Sequence, residues 1–205
     1  KPLGSYDFAQ LYNQAYSNDN GREWDQYYDF EALNAYKDGT GVDVNWYDEV
    51  MKDNGTYSDA VLSFRGGSSL AKYNVVLDYA NQQGFLNVKN TAQTHNASYG
   101  QYGLRTNLDI RLNKVLTVGV DVGGRLEDRT RPGYDLYSLM DDIMKYPSNI
   151  YPVRDPFATD PICNFSGTSI YPNNPVASLS GVGWTTSRTK LLLANFKFKE
   201  ELDFI

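Results

Sequence analysis

The sequence predicts an all-β fold and favours one segment of an antiparallel transmembrane β-barrel, with short helices ahead of its first strand. The first observation is a strict alternation of apolar and polar residues over long stretches after Tyr57. The second is that these stretches exceed the length of about 5 to 6 residues that is usual for strands of water-soluble proteins. The third is that short turns and long loops alternate along the chain, as they do in outer-membrane barrels.

Residues 1–56 differ from the rest because their apolar residues recur at helical spacing. Tyr12 and its neighbours predict a first helix with Ser5 as the N-cap. Shorter helices are predicted around Leu33 and around Trp46. We interpret residues 1–56 as a helical insertion that forms an extracellular loop of a larger body.

Residues 57–128 are predicted to form four barrel strands in two hairpins. Leu104 and Leu108 fall on one face of the third strand, whereas Arg105 and Asp109 fall on the other. Glycine and serine predict a tight turn within the first hairpin, and an Asn-Lys pair marks the turn of the second. The predicted strands are Tyr57–Arg65, Leu70–Asn81, Tyr99–Leu112 and Val115–Asp128.

Residues 129–187 are predicted to be one long extracellular loop, because prolines recur throughout them. Loops of this length are rare in compact soluble domains. Alternation returns in residues 188–205, where Phe196 and Phe198 oppose Lys197 and Lys199. This segment is predicted to be a further barrel strand that is truncated by the end of the sequence. The sequence also begins without a methionine or a signal peptide, so we expect a fragment of a longer protein.

Two interpretations of the alternation compete. In a barrel the apolar face meets lipid and the polar face meets a wet lumen, whereas in a soluble β-sandwich the apolar face meets a second sheet. Alternation alone does not separate them. A tilted strand needs about 9 to 11 residues to cross a bilayer, and several predicted strands reach that length. The barrel is therefore favoured, and the alternative is a soluble or surface-displayed β-sandwich module for carbohydrate binding or adhesion.

Composition limits the functions that the chain can have. Its formal net charge is −6, which argues against a nucleic-acid binder. A single cysteine, Cys163, excludes an intrachain disulfide, and a single histidine, His95, excludes a multi-histidine metal cluster. A hydrolytic triad would need a base that only His95 offers. We therefore expect no enzyme activity, no cofactor and no metal.

Aromatic residues of the long loop are the candidate substrate-binding residues. Such rings can stack on sugar faces or pack beneath a partner protein. They can equally hold the loop together as a small core of its own, and this second interpretation is the stronger one. The candidates for substrate binding are Tyr134, Tyr137, Tyr151, Tyr171 and Trp184.

A second group of candidates lies on the polar faces of the third and fourth predicted strands. These residues are predicted to face the lumen of the barrel and to form cross-strand pairs. The lumen-facing polar row is Arg105, Asn107, Asp109, Arg111, Asp121 and Arg125.

Several short motifs, taken in order, resemble the barrel of SusC/RagA-like, TonB-dependent outer-membrane transporters. In that family a WYDEV-like helix leads into a strand that ends in SGGS, and an R-x-N-L-D strand follows. Here the turn after that strand has Val115 where the family usually has Trp. The corresponding motifs are Trp46-Tyr47-Asp48-Glu49-Val50, Arg65-Gly66-Gly67-Ser68, Arg105-Thr106-Asn107-Leu108-Asp109 and Asn174-Pro175-Val176-Ala177.

The resemblance implies a function and a set of partners. It implies a large barrel in the outer membrane of a Gram-negative bacterium, in contact with the lipid bilayer. It implies import of oligosaccharides or peptides, driven through TonB by a region N-terminal to this chain. It also implies a SusD-like surface lipoprotein as a partner, and no nucleic acid.

Overall fold

The computed structural model describes residues 2–22, 25–88, 96–160 and 163–201. The chain divides into two compact units, and each unit combines segments that are distant in sequence. The first, which we call the helical unit, comprises Lys1–Asp53, Leu86–His95 and Pro132–Trp184. The second, which we call the sheet unit, comprises Asn54–Phe85, Asn96–Arg131 and Thr185–Ile205.

Among the described residues, five helices lie in the helical unit. Three precede the first strand, as the helical spacing predicts. The other two lie in the stretch that was predicted to be a loop. Their bounds are α1 (Ser5–Asn20), α2 (Phe30–Lys37), α3 (Trp46–Val50), α4 (Leu136–Lys145) and α5 (Pro175–Gly181). None of the described helices has the length and apolar character needed to cross a membrane.

The start of α1 differs from the prediction. Gly4 is the N-cap, and Ser5 is the first residue of the helix and fully buried. The Asp43 carboxylate accepts hydrogen bonds from the backbone N–H and the hydroxyl of Ser5, both at 2.9 Å. Asp43 thus supplies, from 38 residues away, the negative charge and the acceptor that a helix N-terminus needs.

The core of the helical unit is built around Trp46. This side chain is 1% exposed, and its indole N–H donates to the Pro147 carbonyl at 3.1 Å. The rings of Tyr146 and Tyr151 meet the indole nearly edge-on, at centroid distances of 6.3 and 5.5 Å. Edge-to-face packing of this kind stabilises an aromatic core beyond the area it buries. The other buried members of the core are Val50, Leu86, Leu139, Ile143 and Leu179.

Asn174 ties α5 to the preceding loop. Its side-chain oxygen accepts from the N–H groups of Val176 and Ala177, and thereby caps the helix. Its side-chain nitrogen donates to the carbonyls of Val153 and Ser166 at 2.9 and 3.0 Å. Pro175 follows at the first helical position, where its missing N–H costs nothing.

The described strands of the sheet unit form a single five-stranded sheet in which the strands follow chain order, β1-β2-β3-β4-β5. The pairs from β1 to β4 are antiparallel, which confirms the predicted antiparallel β architecture. The strands begin and end within a few residues of the predicted positions. Their bounds are β1 (Tyr57–Gly67), β2 (Ala71–Gln83), β3 (Ser98–Arg111), β4 (Leu116–Pro132) and β5 (Trp184–Glu200).

Side-chain hydrogen bonds close the two tight turns. The Ser68 hydroxyl accepts from the N–H groups of Leu70 and Ala71 in the first turn. The Asn113 side chain accepts from Val115 and Leu116 at 2.8 Å in the second. Short polar side chains at these positions replace the ladder bonds that are lost where the chain reverses.

The register of the strands gathers the apolar residues on one face of the sheet. Leu62 lies opposite Leu77, which lies opposite Leu104. The described strands form one sheet without a second sheet facing it, and the only buried residue in the described parts of β1–β5 is Gly119. The apolar side chains of this face are therefore largely exposed, as are Leu62 at 58% and Leu104 at 42%.

We predict that Asn174→Ala loosens the start of α5. The substitution removes the cap and leaves the Val153 and Ser166 carbonyls without their donor, at a cost of about 2–3 kcal/mol. Hydrogen exchange of the full-length protein should show faster exchange at the Val176 and Ala177 amides. Asn18→Ala, at an exposed position of α1, is the control and should leave α5 unchanged. Equal protection of α5 in both variants would contradict the assigned role.

Candidate functional site

Three of the five aromatic candidates belong to the core of the helical unit. Tyr151 is 5% exposed, and its hydroxyl donates to the Tyr171 carbonyl at 3.3 Å. Tyr171 and Tyr134 are half-buried and pack against the same core. Tyr134 also donates to the Asp142 carboxylate at 2.9 Å. These contacts match the interpretation that the loop aromatics form a small core.

The other two aromatic candidates are open to solvent. Tyr137 is 87% exposed on α4, and Trp184 is 44% exposed at the start of β5. Each ring is accessible to a ligand. Their assignment to substrate binding remains a prediction.

The environment of the core tyrosines suppresses their ionisation. Burial raises the pKa of Tyr151 from 10.0 to about 12, and the neighbouring Tyr146 and Asp142 add to the effect. Burial also raises the pKa of Tyr146, with the Asp142 charge as the next cause. For Tyr134, burial raises the pKa first, followed by the hydrogen bond to Asp142. All three phenols are therefore neutral hydrogen-bonding groups at neutral pH.

We predict that the helical unit loses stability as pH rises from about 10 to about 12. Tyr151 ionises near pH 10 in the unfolded chain but only near pH 12 in the folded protein. Its contribution to the free energy of unfolding is therefore complete below about pH 10 and is lost between pH 10 and pH 12. Tyr151→Phe should raise the pH at which the near-ultraviolet circular dichroism of the core disappears. Tyr137→Phe, at an exposed position, is the control. The assignment fails if both variants shift the transition equally.

Acidic residues of the helical unit serve local structure. Asp141 pairs with Lys145 one turn along α4, and Asp142 accepts from Tyr134. The side chain of Asn45 caps α3 and donates to Asp48 at 2.6 Å. Among the described residues, no three His, Cys, Asp or Glu side chains lie close enough together to hold a metal ion. His95 lies outside the described residues.

The predicted lumen-facing row does lie on one face of the sheet. In the β3–β4 register, three of its β3 members face partners on β4: Arg105 faces Gly123, Asn107 faces Asp121 and Asp109 faces Gly119. Arg111 and Arg125 continue the same face, opposite Thr117 and Gly103. We call this face the polar face. That it faces a lumen remains a prediction.

Asn107, Asp121 and Lys197 form a link across three strands. The Asn107 amide donates to the Asp121 carboxylate at 2.7 Å, and the Lys197 ammonium on β5 pairs with the same carboxylate. Gly119 makes room for this link, because a side chain there would meet the Asp109 carboxylate and the stem of Lys197. Cross-strand links of this kind hold neighbouring strands in register.

A second link crosses β2 and β3. Asp78 on β2 lies directly opposite Gly103 on β3 and accepts from the Gln101 amide at 2.9 Å. Gln101 in turn accepts from the Tyr99 hydroxyl at 2.8 Å. The Asp78 carboxylate occupies the space above Gly103, where an added Cβ would lie 2.1 Å from its nearest oxygen. The three side chains thus fix the position of the Tyr99 ring.

The predicted lumen-facing row covers only part of this face. Asp78, Gln101 and Lys197 also form cross-strand links on it. Arg129 and Arg131 lie beyond the predicted end of the fourth strand, because Leu126 is the last apolar residue of the alternation and residues 127–131 are all polar, although β4 itself extends to Pro132. The Arg129 guanidinium lies over the Tyr99 ring, 5.3 Å from its centroid.

We predict that Gly103→Ala forces Asp78 to rotate and breaks its hydrogen bond with Gln101. The loss is worth about 1 kcal/mol, the usual net value of one such bond. A double-mutant cycle on thermal unfolding tests this: Gln101→Leu should cost measurably less in the Gly103→Ala background than in the unmodified protein. Gly100→Ala is the matched control, since nothing lies within 4 Å of a Cβ there. A Gln101→Leu cost that is unaffected by Gly103→Ala would contradict the steric argument.

No family model matches this chain, and no curated protein shows significant similarity to it.

Proposed function

We propose that the five-stranded sheet is part of the wall of a transmembrane β-barrel in a TonB-dependent outer-membrane importer of the SusC/RagA-like type. The barrel would take up oligosaccharides or peptides. The motif resemblance supports the family, and the two faces of the sheet support the membrane location. No catalytic step is assigned to the chain.

The exposed apolar face of the sheet carries this proposal. Leucine, valine, isoleucine and aromatic side chains line up across β1 to β4 in register, and within the described part of the sheet unit no second sheet faces them. Contiguous apolar surface of this extent is unfavourable in water and marks an interface with a partner or a membrane. The opposite face carries charged and amide side chains in cross-strand links, which suits a water-filled interior.

The dimensions of the apolar face fit a bilayer. In β3 it runs from Tyr102 to Ile110, roughly 27 Å along the strand at about 3.4 Å per residue, which is roughly 21 Å of height at a barrel tilt of about 40°. Barrels of the outer membrane have an apolar band about 25 Å tall and aromatic girdles at its borders. The rings of Tyr79 and Tyr102 lie side by side at one border of the face, with centroids 5.2 Å apart. Beyond them Asn81, Gly100 and Asp128 end the apolar face.

The proposal sets requirements for the rest of the molecule. A barrel has no free edges, so further strands would pair with the outer edges of β1 and β5. The three segments of the helical unit all join the sheet at the ends of strands opposite the two tight turns. In an outer-membrane barrel, long connections of this kind lie outside the cell. They would meet a SusD-like lipoprotein, while TonB would act through a region N-terminal to this chain.

Adjacent residues on opposite faces provide a direct test. In a Cys163→Ser background, a fluorophore is attached at Leu104→Cys or at Arg105→Cys in the full-length protein reconstituted in lipid. Leu104 belongs to the apolar face and Arg105 to the polar face, so only the label at position 104 should be quenched by brominated lipid chains. The Arg105→Cys variant is the matched control for labelling and insertion.

The outcomes separate the two functional hypotheses. Quenching at position 104 alone supports the barrel wall. A protein that purifies as a monomer without detergent, with neither label quenched by lipid, would instead support the soluble or surface-displayed carbohydrate-binding or adhesion module.

A further inference from the structure

A cleft of about 210 Å³ opens on the polar face, at the end of the sheet that is opposite the two tight turns. It is lined by residues from the ends of β2, β3 and β4, among them Gln82, Ser98, Tyr99, Arg129 and Arg131. Tyr99 and Arg129 are directly opposed across the β3–β4 pair, and Arg131 follows on the same face. We call this cleft the arginine cleft, and Tyr99, Arg129 and Arg131 are the lining residues considered below. All of it lies within the sheet unit.

The two guanidinium groups of the arginine cleft outweigh one nearby carboxylate, Glu127, which lies beside the Tyr99 hydroxyl. Both arginines are exposed, and neither forms an ion pair with another described residue. The nearest acidic residue of the same face on β4, Glu127, pairs with Arg125 at 3.5 Å. Guanidinium groups without an internal partner are well suited to bind a carboxylate or a sulfate through paired hydrogen bonds.

The tyrosine of the cleft is held in place before any ligand arrives. Its hydroxyl donates to Gln101, Gln101 donates to Asp78, and Gly103 leaves the space that Asp78 occupies. A ring fixed in this way offers an apolar surface at little entropic cost, because it need not be ordered on binding. The hydroxyl is already engaged and Arg129 lies over one face of the ring, so the ring offers a ligand its edge and its other face.

Size restricts the ligand further. The cleft is smaller than the roughly 300–1,000 Å³ of pockets for drug-sized ligands, so it accommodates one ring of a chain and not an extended molecule. It lies at the level of Gly100 and Asp128, beyond the apolar face, where water and solutes have access. The net charge of −6 for the whole chain gives no broad attraction for polyanions, so binding would depend on this local pair of arginines.

We propose that the arginine cleft binds an acidic sugar residue, a uronate or a sulfated sugar, within an oligosaccharide. The apolar face of the sugar ring stacks on Tyr99, and the carboxylate or sulfate accepts hydrogen bonds from Arg129 and Arg131. This inference rests on the proposed uptake function for the choice of a sugar, and it narrows the substrate class to anionic glycans.

The test is calorimetric titration of the full-length protein in detergent with three probes: an oligogalacturonate, a neutral maltooligosaccharide of the same length, and inorganic sulfate. We expect binding of the oligogalacturonate, with much weaker binding of the other two. The double variant Arg129→Gln, Arg131→Gln should weaken oligogalacturonate binding about 100-fold, tenfold for each guanidinium. Arg65→Gln, on the polar face near the opposite end of β1, is the matched control and should bind as the unmodified protein does.

A third variant, Tyr99→Leu, tests the contribution of the ring. It should weaken oligogalacturonate binding and leave the weak binding of sulfate unchanged, because only the sugar uses the ring. Equal affinity for the charged and neutral sugars, or unchanged affinity in the double arginine variant, would overturn the proposal. Sulfate binding as tight as that of the sugar would reduce the cleft to a simple anion site and overturn it as well.

Failure of this inference is distinguishable from failure of the proposed function. A protein that shows lipid quenching at position 104 but does not discriminate between the sugars keeps its place in the membrane and loses only the anionic substrate. A protein that needs no detergent and shows no lipid quenching loses the uptake function, whatever its affinity for sugars.

Discussion

The register of the β-sheet is the constraint on which the rest of the structure depends. Side chains alternate between the two faces of a strand, so a shift of one residue between two strands would move every leucine of one strand to the polar side. The observed register places Leu62, Leu77 and Leu104 in one row and Asn107 opposite Asp121. Cross-strand links such as Asp78–Gln101 and Asp121–Lys197 add specificity to that register, since they form only in this alignment. The apolar face of the proposed barrel and the arginine cleft both follow from it.

The helical unit does not depend on strand register, because it has a core of its own. Trp46 and the tyrosines around it assemble segments that are far apart in sequence, and the Trp46 indole and the Tyr151 hydroxyl each have a specific partner there. Two of the motifs that resemble the transporter family have structural roles in this unit. The WYDEV motif is the whole of α3, whose Trp46 and Val50 enter the core, and the Asn-Pro pair of the last motif starts α5. In both places the residues have structural roles that do not depend on a ligand.

Sequence patterns were sufficient to predict the strands. They were less sufficient to predict which side chains the strands bring into contact. Alternation located β3 almost to the residue, and it assigned Leu104 and Arg105 to opposite faces. It ended at Leu126, because residues 127–131 are all polar, and Pro132 and the prolines after it suggested a loop, so the last part of β4 with Arg129 and Arg131 was missed. The same prolines concealed α5, although Asn174 followed by Pro175 is a recognisable helix start. The pairing of Asp78 with Gly103 depends on the register between strands, and the capping of α1 by Asp43 on a tertiary contact, so neither is visible in local sequence.

The glycines of the polar face have a consequence for the space beside the sheet. Gly103 lies under the Asp78 carboxylate, and Gly119 is crowded by Asp109 and by the stem of Lys197. Charged side chains that would otherwise stand upright from the sheet can therefore lie across it, because their opposite neighbours have no side chain. The layer of side chains on the polar face of such a sheet is therefore thin. In the proposed barrel, such a lining would leave a wider lumen than one of upright side chains, because the charged groups occupy the space above the glycines.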